Sequence, residues 1–422
     1  MSAPATLRAI SQAALAALLV LATGWLCFRA GGYFHDPRAG LAIAAWVAVA
    51  LVAVAPLAAR ADGLAAVALV PPSRAGRVAV AGLLGLATWT AVSVAWAPQH
   101  EAAAEDVWRV ALYAAFLPLA VTALRAGGPA RAVEPALVLL ATVVVGYGLL
   151  AKAGAIGATA SAGADGRLDQ PLSYWNAMGA LAAAGLVLAA RMATDSIRPT
   201  ALRAGGAVAA LPLAAGLVLT YSRGALAAAA IGLVVLALVT PEARPLWARA
   251  GRGWRRAAAW GTVAVAVAAL GFVAADRAAP EPARGATVAR FADVGSNRAD
   301  YWDVALGAFA SAPAQGVGTA GFRVEWLRER DVVEGAVDAH SLYVETLAEL
   351  GLVGFALLAA FVAGVALCLR RLVAAGSPDA ALVAGPCAAL AALALHYGID
   401  WDWEMPALTL YGLLLAAVVV AR

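Results

Sequence analysis

The sequence predicts an all-α, polytopic membrane helix bundle of about 12 transmembrane helices carrying one large extracytoplasmic helical loop. Three observations predict it. Of 422 residues, 63% are hydrophobic and only 13% are charged, far outside the usage of soluble domains. Apolar runs near 20 residues long, the length that crosses a hydrocarbon core, recur from end to end. Most of these runs are apolar on every face, where a soluble bundle shows polar stripes at helical spacing.

The expected spans are residues 9–28, 40–59, 78–96, 107–124, 135–154, 173–192, 204–220, 224–239, 257–275, 342–369, 380–396 and 406–420. They divide the chain into a bundle of spans one to nine (1–275), an extracytoplasmic loop with amphipathic helices (276–341), and spans ten to twelve (342–422). The first stretch reads as a span and not as a secretory signal, because no small-residue cleavage site leads into a soluble domain. With both termini inside, the inner segments hold 17 Arg against five acids, and the outer ones hold 13 basic residues against 21 acids. That is the positive-inside asymmetry, and a miscounted span would invert it downstream. The expected address is therefore the inner or plasma membrane, with both termini cytoplasmic and any chemistry extracytoplasmic.

Composition excludes several classes. The cysteines Cys27, Cys368 and Cys387 all sit in apolar runs, so neither a disulfide nor a metal cluster is expected. No phosphate loop or dinucleotide fingerprint occurs, so no nucleotide cofactor is expected, and no nucleic-acid partner. The basic residues are 29 Arg and one Lys, Lys152, in an Ala-rich background; that bias fits genome composition as well as function. No internal repeat is visible, which weakens an inverted-repeat transporter reading.

Candidate site residues fall in the outer segments. Arg223 separates two apolar runs of roughly 16 residues; as one helix they would reach about 50 Å, too long for a core of about 30 Å. The chain must turn there and hold Arg223 at the outer surface, either as a snorkelling rim arginine or as part of a site. Arg167 precedes the span that begins near Trp175-Asn176, where Asn176 suits either a helix–helix hydrogen bond or a ligand contact. Arg298 opens a helix with Ser296 as a plausible cap; Tyr301, Trp302, Ala305, Leu306 and Phe309 recur along it at helical spacing. His340 stands at the mouth of the longest apolar helix, at an N-terminus that favours anions. The last outer loop reads Asp400-Trp401-Asp402-Trp403-Glu404. Its paired carboxylates resemble the metal–diphosphate ligands of some glycosyltransferases, and its tryptophans suit either sugar stacking or an interfacial belt.

Taken together, Tyr221-Ser222-Arg223-Gly224 between two spans, Arg298 followed by Trp302, Gly316-Val317-Gly318 with Gly321-Phe322, and the stretch from Ala339 through Tyr343 and Glu345 to Phe355 resemble the O-antigen ligase-related family. These are polytopic membrane glycosyltransferases and polysaccharide polymerases. The likeness runs roughly from Arg167 to Phe361; the acidic, tryptophan-rich last loop has no place in the general pattern. The resemblance implies a metal-independent transferase without cofactors. Its donor would be a polyprenyl-diphosphate-linked glycan, and its acceptor a hydroxyl of a glycan or glycolipid in the lipid bilayer. Carried over by motif, Arg223 and Arg298 would hold the diphosphate and His340 would serve the acceptor hydroxyl. Substrate contacts are expected from Arg167, Asn176, Tyr221, Ser222, Tyr343, Glu345, Asp400, Trp401 and Asp402. Physical chemistry points the same way. A departing diphosphate needs neutralising, which guanidinium forks do bidentately, and a hydroxyl nucleophile needs a base with a pKa near neutrality. Two other readings stay open: a transporter of a small anion or glycolipid, and a metal-dependent transferase centred on Asp400 and Asp402.

Overall fold

The computed structural model describes residues 3–58, 69–125, 127–161, 163–241, 287, 297–374 and 377–422. Among them every regular element is helical: α1 (Ala3–Cys27), α2 (His35–Ala58), α3 (Arg74–Ser93), α4 (His100–Leu124), α5 (Gly127–Lys152), α6 (Trp175–Thr194), α7 (Thr200–Leu219), α8 (Arg223–Val239), α9 (Arg298–Ser311), α10 (Phe322–Glu329), α11 (Leu342–Leu372), α12 (Ala380–Tyr397) and α13 (Pro406–Val420). Nine of these, α1 to α7 with α11 and α12, are long and apolar enough to cross a membrane; α8 and α13 are shorter apolar helices. The expected span at 257–275, the arginines Arg244, Arg249, Arg252, Arg255 and Arg256, and the cap residue Ser296 lie outside the described residues.

The core forms around α13. Its sequence carries no charge, and every residue from Pro406 to Val420 is buried. It packs against α4, α12 and α1, and α4 is buried without a break from Leu112 to Leu124. The peripheral helices reverse the soluble pattern, with Leu18 62%, Leu51 66% and Leu211 72% exposed on their outward faces. That is the surface expected of a bundle solvated by lipid. Where helices come closest they meet through glycine: a Cβ on Gly364 of α11 would lie 2.5 Å from the backbone nitrogen of Ala79 in α3.

The 31-residue α11 is not one straight rod, because Gly351 adopts φ 63°, ψ −163° inside it. This region is essentially closed to other residues. The backbone groups freed at the break are taken up by the 313–318 segment. Leu352 N donates to Pro313 O at 2.9 Å, Val353 N to Ala314 O at 3.2 Å, and Gly318 N to Glu349 O at 2.9 Å. The break leaves residues 352–372 as the crossing part, about 31 Å at 1.5 Å per residue, which matches the bilayer core. It frees residues 342–350 to serve as a platform. On that platform α9 and α10 build a small second core from Tyr301, Ala305, Ala308, Phe322, Trp326 and Ala348. The buried face of α9 is therefore narrower than its spacing suggests: Tyr301, Ala305 and Ala308 are buried, whereas Leu306 is 46% exposed.

Candidate active site

The N-termini of α6, α8, α9 and α11 meet at one end of the bundle, around the loop that joins α12 to α13. Two of these helix starts share a design. Tyr221 (φ 51°) precedes Ser222, and His340 (φ 55°) precedes Ser341. Each serine then caps its helix, with Ser222 Oγ accepting from Ala225 N at 3.2 Å and Ser341 Oγ from Val344 N at 3.5 Å. Left-handed φ is costly for residues with a side chain, and such strain concentrates at functional turns. Here it lets the chain reverse within one residue, so that Arg223 and His340 stand at the helix mouths.

Asp400 is the hub. Its Oδ1 accepts from Tyr174 Oη at 2.7 Å and from its neighbour Trp401 N at 3.0 Å. Its Oδ2 accepts from Asn176 Nδ2 and from Arg298 Nη2, both at 2.7 Å. Arg298 Nε also donates to Ile399 O at 2.6 Å. Asp400 is 1% exposed. Burial alone would raise its pKa, but the Arg298 guanidinium, with His340 and His396 beyond it, outweighs burial and holds the carboxyl below its usual range. The Tyr174 hydroxyl is pushed up, first by burial and then by Asp400, and so stays a donor.

His340 is half-buried and packs on Tyr301 with ring centroids 4.7 Å apart, one helical turn from Arg298. Its Nδ1 lies 2.9 Å from Asp338 O. A carbonyl only accepts, so Nδ1 carries the proton of the neutral ring and Nε2 keeps its lone pair. Burial lowers the pKa of His340, Asp400 opposes, and Arg298 adds to the lowering. The imidazole is therefore neutral at physiological pH.

The structure also separates residues that the sequence left grouped. Asp400 and Asp402 face different partners: Asp402, with 0% exposure, pairs with Nδ1 of His396. Each Asp400 oxygen accepts from two protein donors, whereas Oδ2 of Asp402 is held by His396. Arg167 is buried against its own loop, donating to Ala164 O at 2.8 Å and Gly163 O at 2.6 Å, with its guanidinium 3.5 Å above the Trp175 ring. Tyr343 donates to Ala394 O at 2.8 Å and lies against Gly398. Trp401 stacks on Tyr174 at 4.3 Å, and the buried Trp403 packs edge-on against Tyr113 at 5.0 Å. The loop joining α12 to α13 thus spends its aromatic rings on packing against Tyr174 and Tyr113.

Beneath the hub lies an ionic cluster that the sequence did not disclose. Asp338, Glu345 and Glu404 bring carboxylate oxygens within 4.8 Å of one another. Arg109 pairs with Glu404 and, at 2.8 Å, with Asp106, and Glu345 accepts from Ala339 N at 2.6 Å. Arg109 offsets part of the cluster's charge, and the Ala339 amide supplies Glu345 with a hydrogen-bond donor. Burial pushes the Asp338 carboxyl up to about 6, with Arg109 opposing. Glu349 accepts from Ala320 N and Phe322 N, both at 3.0 Å, and so ties the Gly316–Gly321 segment to α11. The signal was present in the sequence as acids within the first two turns of an apolar helix, but Arg109, the guanidinium that faces them, sits more than 200 residues away. Between α11, α12 and α13 lies an apolar cavity of about 250 Å³ whose lining includes Tyr343 and Tyr397.

Among curated proteins there is no match to the chain. Residues 208–359 match the family model described as O-antigen ligase. The match takes in the Arg223 turn, the Arg298 helix, the Gly316–Gly321 segment and His340; it stops short of Tyr174, Asn176 and the Asp400 loop. Over residues 208–359 of its 422, the chain is similar to the O-antigen ligase family.

Proposed function

We propose that the protein transfers a glycan from a polyprenyl-diphosphate donor to a hydroxyl of a glycan or glycolipid, at the extracytoplasmic face and without a metal. One observation carries this reading: the three family-matched elements bearing Arg223, Arg298 and His340 converge on one polar end of an otherwise apolar bundle. The charge asymmetry of the sequence supports an extracytoplasmic position for that end.

In this reading the acceptor oxygen forms a bond to the anomeric carbon while the bond to the diphosphate oxygen breaks. The acceptor's proton passes to Nε2 of His340, and the diphosphate departs with the bonding electron pair. Arg223 and Arg298 stabilise that charge, helped by helix N-termini directed at the same end. Asp400 keeps Arg298 in place and favours the imidazolium that forms on His340. The polyprenyl chain lies in the apolar cavity between α11, α12 and α13. Because the oxygens of Asp400 are taken by protein donors and Asp402 faces His396, the arginines supply the positive charge that a metal–diphosphate site would take from an ion.

The test separates binding from chemistry. Arg223→Lys keeps the charge but loses the fork, so it should be impaired nearly as badly as Arg223→Ala. Loss of one such contact corresponds to about 1.5–3 kcal/mol, roughly ten- to hundredfold, in part as weaker donor affinity. His340→Ala should keep donor binding while single-turnover transfer falls by about a hundredfold or more. If His340→Ala loses donor binding in step with Arg223→Ala, His340 belongs to the diphosphate site and is not the base.

A further inference from the structure

The reaction proposed above leaves one buried imidazole unused. His396, in the last turn of α12, is 1% exposed, and its Nδ1 is committed to Asp402. Its Nε2 makes no hydrogen bond among the described residues. That nitrogen faces the start of α8: a Cβ added to Gly224 would lie 3.3 Å from Nε2 and 2.9 Å from Ile399 Cδ1. Gly224 directly follows Arg223, and the turn that presents Arg223 rests on this ring. A leucine would fill the same space without leaving a polar atom unsatisfied, which is an expensive condition inside a protein. What the imidazole offers beyond bulk is the bond to Asp402, which fixes the plane and height of the ring. The nitrogen is buried with the ring, so His396 does not compete with the half-buried His340 as a base.

We propose that His396, locked by Asp402, is a positioning residue for Arg223, setting where the first turn of α8 presents its guanidinium to the donor diphosphate. This rests on the reading that Arg223 holds that diphosphate. One short loop then aligns both arginines: Asp400 grips Arg298 directly, and Asp402, two residues on, acts through His396 and the bare backbone of Gly224. The alternation explains an Asp-x-Asp spelling without asking the two carboxylates to share a ligand. It also accounts for a glycine after Arg223, since a Cβ there would come within 2.9 Å of Ile399 Cδ1 and press on the ring at 3.3 Å.

The experiment is a double-mutant cycle on the affinity of a fluorescent polyprenyl diphosphate in nanodiscs. His396→Leu should weaken probe binding roughly tenfold, the scale of one displaced charge-assisted contact. In an Arg223→Ala background the same change should add less than about twofold, while in an Arg298→Ala background it should keep its full effect. His396→Asn, which can still donate to Asp402 but lacks the ring edge that meets Gly224, should weaken the probe as His396→Leu does. Gly224→Ala presses the same contact from the other side and should reproduce His396→Leu with the ring intact, so the idea survives if one variant fails to fold. Equal weakening of the probe in the Arg223→Ala background, or no weakening by either His396→Leu or Gly224→Ala, overturns the positioning role alone. If Arg223→Ala itself leaves probe affinity unchanged, the diphosphate reading fails and the positioning role fails with it.

Discussion

Asp400 concentrates most of the site's physical chemistry in one side chain. It is ionised inside the protein because Arg298 sits 2.7 Å away, and it orders Tyr174 and Asn176 through the same two oxygens. Asp400→Asn keeps the shape but removes the charge that faces the guanidinium, so donor affinity should fall about tenfold in a direct binding assay. His340 gives a different signature. Its pKa is lowered by burial, so the neutral, proton-accepting form is reached below the ordinary histidine value of about 6.5. Single-turnover transfer should rise with pH through a midpoint below that value and be flat at neutrality, and His340→Ala should lack the limb. Asp338 is predicted to affect stability. Its folded pKa of about 6 lies above the unfolded value, so the folded state binds more protons between the two, and stability falls as pH rises through that window. Asp338→Asn should therefore raise the melting temperature at pH 7.5, with the gain shrinking as pH falls below about 6 and gone only below the unfolded value of 3.8.

At the scale of elements, the spans were legible because hydropathy and length suffice to define them, and the eleven expected spans that fall among described residues correspond to helices α1 to α8 and α11 to α13. The break in α11 was not legible. A lone glycine in an apolar run looks tolerable, and only the partner segment 313–318, far behind it in sequence, shows why the conformation is required. A Cβ at Gly351 would lie 2.4 Å from Ala314 O. Gly351→Ala should lose about 3 kcal/mol or more, combining a closed backbone region with a collision, seen as a lower melting temperature in detergent. The face of α9 was read too broadly because its true partner is a small local core and not the bundle. Arg223, Arg298 and His340 could be singled out because each breaks an apolar or turn pattern. Their convergence, and the part of His396, Tyr174 and Arg109 in it, depends on contacts spanning tens to hundreds of residues, which spacing does not reveal.

At the scale of the molecule, the account requires the polar end to face outward. A cysteine replacing Val333, 95% exposed at that end, should react with an impermeant thiol reagent in intact cells. One replacing Ile197, 79% exposed between α6 and α7, should react only after lysis; the reverse pattern would place the site in the cytoplasm. The central claim is that a metal-free arrangement of arginines and one histidine, held on an acidic loop, moves a glycan off a lipid diphosphate. Its most direct test is a reconstituted assay with purified protein in nanodiscs, a polyprenyl-diphosphate glycan, a hydroxyl-bearing glycan or glycolipid acceptor, and excess chelator. The account predicts that glycan-extended acceptor and free polyprenyl diphosphate form in equal amounts with chelator present, and that Arg223→Ala and His340→Ala stop both. Loss of turnover in chelator, restored by magnesium or manganese, would contradict it.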